Sequence, residues 1–159
     1  MTKEVPPKTD AVEGHDAKSI SRYFPVLGRV VMGLLFLVMG LNGFLNFLPQ
    51  PSTPMPQGAV AFIGALMSSG YMLPLIAGTQ VIVGVLLLTN RFVPLALALL
   101  APVVVNILAF HVFLAPSGIG VAIVVVALEV YLVWAYRKAY GPMLAVRTSL
   151  APRNASPFV

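Results

Sequence analysis

The chain contains no cysteine. Disulfides, thiolate metal sites and thiol redox chemistry within it are therefore excluded. Charge is scarce as well: only 9% of its 159 residues are Asp, Glu, Lys or Arg, where a soluble domain carries about 25%. So few charges cannot cover a water-facing surface, and a mean hydropathy of +0.92 points to lipid as the solvent. The alternation of apolar and polar residues that marks a membrane barrel is missing too, because the apolar runs are continuous. The net charge is +5, but the basic residues are scattered around apolar runs rather than gathered into a patch. They read as topology signals, and no nucleic-acid partner is expected.

What the chain does have is four apolar runs, at 25–48, 71–90, 94–115 and 119–136. Each meets the roughly 20 residues that a helical span requires. The pattern predicts an all-α fold, an integral membrane four-helix transmembrane bundle over 25–140, flanked by tails at 1–24 and 141–159. The first tail holds Pro6, Pro7 and charges of both signs, too little apolar surface to fold alone. It is acidic as well as basic, and the run after it is too long for a signal peptide, so span one is expected to remain as an uncleaved anchor. His15 reads as a solvated histidine. Between spans one and two, Pro49, Pro51, Pro54 and Pro56 forbid a helix. The apolar stretch 58–69 is too short to cross, and reads as a short interfacial or re-entrant helix. Arg91 ends the second run and Pro94 opens the third at a favoured first-turn position, so these two spans form an antiparallel hairpin. Gly33, Gly40 and Gly43 lie near one face of span one, inviting close approach by a helix of this chain or of a second copy. Arg29, one turn inside span one, is placed to snorkel back to the headgroups.

All ten Lys and Arg fall in the two tails, at the start of span one, between spans two and three (Arg91) or just after span four (Arg137, Lys138). The loop 49–70 and the turn 116–118 have none. The positive-inside rule then puts both termini and Arg91 in the cytoplasm of a bacterial or archaeal cell, with the chain in its inner membrane. The aromatic residues agree, with Tyr23, Phe24, Phe92, Trp134, Tyr136 and Tyr140 at the inner interface and Phe47, Tyr71 and Phe113 at the outer one.

Polar groups within the spans are the candidates for function. At a rise of 1.5 Å per residue, Glu129, Gln80 and Asn106 lie about 12, 15 and 18 Å above the inner boundary, and Asn42 and His111 at about 26 Å. The expectation is a midplane layer of Glu129, Gln80 and Asn106 and an outer layer of Asn42, Asn46 and His111. A carboxylate at mid-bilayer costs at least about 2.5 kcal/mol, so Glu129 should face the bundle interior. It reads either as a neutral structural acid hydrogen-bonded to Gln80 or Asn106, or as a group that binds a ligand or accepts a proton. Gln80 and Asn106 read as interhelical glue or as ligand contacts. Pro102 leaves the carbonyl of Ala98 without its helical donor, a bend that would shape a cavity beside Asn106. His111 is partly hydrated or a ligand contact. With one histidine in the bundle and no second ligand at a fixed spacing, no metal site is expected.

The segment 29–49 (RVVMGLLFLVMGLNGFLNFLP), the proline-rich loop with its short apolar helix, and the segment 84–118 (GVLLLTNRFVPLALALLAPVVVNILAFHVFLAPSG) resemble the DoxX family of small four-span membrane proteins. The resemblance covers about 20–140. It implies a four-helix bundle with both termini inside, related to a subunit of a thiosulfate:quinone oxidoreductase and to membrane partners of thiol-stress systems. The architecture is also similar to vitamin K epoxide reductase-like bundles, whose cysteine chemistry this chain cannot run. Three functional readings follow. The first is a membrane subunit or accessory of a redox system with a quinone-like molecule in an intramembrane pocket, contacted by Asn42, Asn46, Gln80, Asn106, His111 and Glu129. The second is a non-catalytic scaffold subunit of a larger membrane complex, and the third a small proton-coupled transporter. No flavin, haem or iron–sulfur ligand set is evident, so no intrinsic cofactor is expected beyond a bound quinone or lipid. Electrons would come from a partner, and the sequence assigns no catalytic residue.

Overall fold

The computed structural model describes residues 23–49 and 54–141. The tails on either side, His15 among them, lie outside the described residues. Five α-helices run in chain order: α1 (Tyr23–Leu45), α2 (Gln57–Ser68), α3 (Met72–Leu88), α4 (Val93–Phe113) and α5 (Ile119–Ala135). A 3₁₀ turn at Pro116–Gly118 joins α4 to α5, a second at Arg137–Tyr140 follows α5, and no strand occurs among the described residues. The fold is the expected all-α membrane bundle. α1, α4 and Pro116–Ala135 are each long and apolar enough to cross a bilayer, while α2 and α3 pass that test as a pair bent by 89°. α3 alone has 17 residues, about 25 Å of helix, the short end of what a span requires.

Local chemistry sets the breaks. α2 ends at Ser68, and the chain turns at Gly70, whose φ of +75° is left-handed, a conformation glycine adopts without penalty. The Ser69 hydroxyl accepts the Met72 N–H at 3.1 Å and so starts α3 at nearly a right angle to α2. The other end of α3 closes on Asn90, also left-handed at φ 56°. Asn90 N–H donates to the Leu87 carbonyl and Arg91 N–H to that of Leu86, the paired bonds of a Schellman termination. Phe92 is left-handed as well, which turns the chain back into α4.

Around the bundle α1 packs on α3 and α5, and α4 packs on α3 and α5; the α1–α3 contact is the most extensive. The core is made of Met32 and Phe36 from α1, Val83 and Leu87 from α3, a stripe of Val93, Ala96, Leu97, Leu100 and Val104 from α4, and Val125 and Leu132 from α5. Spacings of three and four place that α4 stripe on one face. Large apolar side chains cover the outside, among them Val105, Val121, Val124 and Phe113. Buried and exposed faces therefore do not differ in polarity, as expected of helices solvated by lipid.

The glycines find their partner inside the chain. A Cβ on Gly40 would lie 2.7 Å from the Ala77 carbonyl oxygen, and one on Gly84 would lie 2.7 Å from the Leu37 nitrogen. Gly33 meets Leu87 and Leu88, and Gly43 meets Ala77. One expectation is overturned: Arg29 does not snorkel. It is 7% exposed, and its guanidinium donates to the carbonyl of Leu87 and, at 3.4 Å, to that of Leu88. These are among the last carbonyls of α3, which lack the donor four residues on and sit at the negative end of the helix dipole; that of Leu87 also accepts the Asn90 N–H. A cation finds there the partner that the headgroups would otherwise supply.

Substituting Gly84→Leu should separate α1 from α3 and lower stability by about 1–3 kcal/mol or more, read as a lower thermal midpoint in detergent. Gly78→Ala, where nothing lies within 4 Å of the added Cβ, should leave the midpoint unchanged or raise it.

Candidate functional site

α3 and α4 are joined by four residues and pack on each other, which brings Gln80, in the middle of α3, to the same cavity as Asn106, one turn beyond Pro102 on α4. Gln80, Asn106 and Pro102 line one cavity of about 250 Å³, with Met72, Ile76 and Ile107. The helix runs unbroken through Pro102, and the proline ring forms part of the cavity wall. A second cavity, of about 400 Å³, is lined by Gln80 and His111 together with Phe36, Ile107, Gly118 and Val125. Gln80 thus lies between two cavities, with an amide on one side and an imidazole on the other.

His111 is held in one orientation. Its Nδ1–H donates to the Ile107 carbonyl one turn back, at 2.8 Å. A carbonyl only accepts, so in the neutral ring Nε2 carries the free lone pair. The Phe110 ring meets the imidazole edge-on at 5.3 Å and itself contacts Phe62 of α2 at 5.8 Å. The edge carrying Cδ2 and Nε2 lies against Gly118, where any Cβ would collide with the ring. Gly118 therefore makes the room that His111 occupies.

The remaining candidates line neither of these two cavities. Asn42 accepts the Leu48 N–H on Oδ1 at 2.8 Å, and its backbone carbonyl accepts the Asn46 N–H. Asn46 stands just past the end of α1 with a left-handed φ of 49°. The pair does not share a helix face; together they terminate α1. Glu129 is 5% exposed, as expected of a buried acid. Yet neither of its oxygens has a hydrogen-bond partner among the described residues, so the bond to Gln80 or Asn106, one of the two readings of this acid, is not made. It lines a separate groove of about 280 Å³ between α4 and α5. Rise per residue gave the heights of these groups; it carried no information on which side of each helix they face, and that is what separates Glu129 from Gln80. Arg29 was missed as a buried polar residue because its partners are backbone carbonyls, which no side-chain pattern announces. Among the described residues, no three His, Cys, Asp or Glu side chains come together.

The tight fit at Gly118 can be tested. Gly118→Ala should displace the His111 ring, shift its NMR resonances and weaken the bond to Ile107, costing about 0.5–1.5 kcal/mol. Gly120→Ala, with open space at the added Cβ, should do neither. The chain matches no protein-family model, no curated protein and no solved structure.

Proposed function

We propose that the chain is a DoxX-like integral membrane protein that serves as a membrane subunit or accessory of a redox system and holds a quinone-like molecule beside Gln80. The observation that carries this reading is the position of Gln80 in the walls of two cavities, with Asn106 in one and His111 in the other. A quinone presents two carbonyl acceptors on an apolar ring. The amide N–H groups of Gln80 and Asn106 are donors for them, and His111 Nε2 is an acceptor for the hydroxyl of the reduced form. A cavity of about 400 Å³ falls within the range of small-molecule sites, roughly 300–1,000 Å³ and mostly apolar with a few placed polar groups. The reaction's electrons are supplied by a partner protein. Gly33, Gly40 and Gly84 are occupied within the chain, so they lend no support to the scaffold reading.

The test is to purify the protein from its native membrane and analyse co-purifying lipophilic molecules by mass spectrometry. Quinone is expected in the wild type, with retention reduced about tenfold or more in Gln80→Leu, the loss of one or two buried hydrogen bonds. Repeated absence of both quinone and a redox partner would overturn the reading.

The orientation proposed with it, both termini and Arg91 in the cytoplasm, follows from the distribution of basic residues. With no native cysteine, single-cysteine labelling has no background. In intact cells Ser117→Cys should react with an impermeant maleimide and Asn90→Cys should not; the reverse pattern would invert the topology.

A further inference from the structure

Glu129 lies outside the two Gln80 cavities. It is 5% exposed, it sits ten residues into the apolar helix α5, and both carboxyl oxygens are without a partner among the described residues. The groove it lines runs between α4 and α5. Ala101, Val105 and Leu108 form one wall and Val126, Val130 and Val133 the other. Spacings of three, four and seven on both helices make it a straight channel about 10 Å long. Val105 and Val130 on its rims are largely exposed, so it opens sideways to the surrounding lipid. Small Ala101 widens the groove on the wall facing Glu129.

The chemistry of what fits follows from what the carboxyl group is missing. A buried unpaired carboxylate is strongly unfavourable, and a neutral acid has a single O–H to donate and acceptor capacity left over. A quinone or ester carbonyl brings no donor and leaves that capacity unfilled. An ammonium group brings three N–H donors and the opposite charge, and such charge-assisted bonds are the strong ones. The Tyr140 hydroxyl, just past α5, is also buried without a partner among the described residues. Burial and then the neighbouring Glu129 charge push its phenol up, so it is a neutral group within electrostatic reach of the carboxyl and brings no competing charge.

We propose that the α4–α5 groove is a second binding site, separate from the Gln80 cavities, for a lipophilic amine whose ammonium group pairs with Glu129 while its apolar part lies along the valines of the groove. This site does not depend on the quinone reading; either can fail without the other.

The experiment uses the full-length protein in nanodiscs of uncharged lipid, with dodecylamine as probe and dodecanol as a control of equal chain length. Wild type should bind dodecylamine about tenfold or more tightly than dodecanol, the preference expected of a hydrogen-bonded charge pair. Glu129→Gln keeps the volume and should abolish the preference. Ala101→Leu keeps Glu129 but fills the groove, and should weaken amine binding by a similar factor. It also serves if Glu129→Gln does not fold. Equal binding of amine and alcohol by wild type would overturn the proposal, as would a folded Ala101→Leu protein that binds amine unchanged. Disulfide cross-linking between copies through Val130→Cys, without amine binding, would assign the groove to a second copy of the chain and overturn it as well.

Discussion

The contact between α1 and α3 is the constraint on which the bundle rests. In lipid, apolar side chains gain little by leaving the acyl chains for one another, so helices associate through close fit and polar contacts. α1 and α3 have both. Gly40 and Gly84 let the two backbones meet with no side chain between them, and Arg29 reaches across to the last carbonyls of α3. α1 is fixed along its length by shape and at one end by charge. α4 follows because the Asn90 termination and left-handed Phe92 return the chain directly against α3, and α5 then closes the ring onto α1.

That order of constraint explains where the cavities are. Where Gly40 and Gly84 face the partner backbone, packing leaves no space. Where Gln80 lies with Pro102 and Asn106, and again where it lies with His111, the side chains are neither small enough to allow backbone contact nor shaped to interdigitate, and space remains. At these two cavities polar groups and space coincide, because hydrogen-bonding residues stand where a tightly packed seam would have Leu, Val or Gly. Glu129 follows the same rule on the opposite flank of α5, where valines on both helices leave a trough instead of a seam.

The class of fold was legible in the sequence because scarcity of charge and the length of apolar runs are properties of whole segments. Helix ends were legible to within a few residues, since Gly70, Pro94 and Pro116 act locally. The short helix between the first two spans was legible from its length alone, and its 89° angle to α3 is what a segment too short to cross would adopt. The grouping of site residues was less legible. Height follows from counting residues, but azimuth on a helix that is apolar all round carries no signal in composition. So Gln80 lines one cavity with Asn106 and another with His111, and Glu129, at a similar height by residue count, lines neither. The roles of Asn42 and Arg29 lay in bonds to backbone groups, which become visible only when the chain is folded.

The seam between α1 and α5 has one more consequence. These helices touch far less than α1 and α3 do, and two cavities lie along the seam. One is apolar, about 580 Å³, between Phe24, Leu27 and Val31 on one side and Val124, Leu128 and Tyr131 on the other; the other is the Gln80–His111 cavity. The partly exposed Leu35, Met39 and Val121 at its rim turn its opening toward acyl chains rather than water. A guest arriving by this route is drawn from the two-dimensional solution of the bilayer. Its occupancy is then governed by its mole fraction in the lipid and by how it divides between membrane and cavity, so a molecule almost insoluble in water can saturate the site.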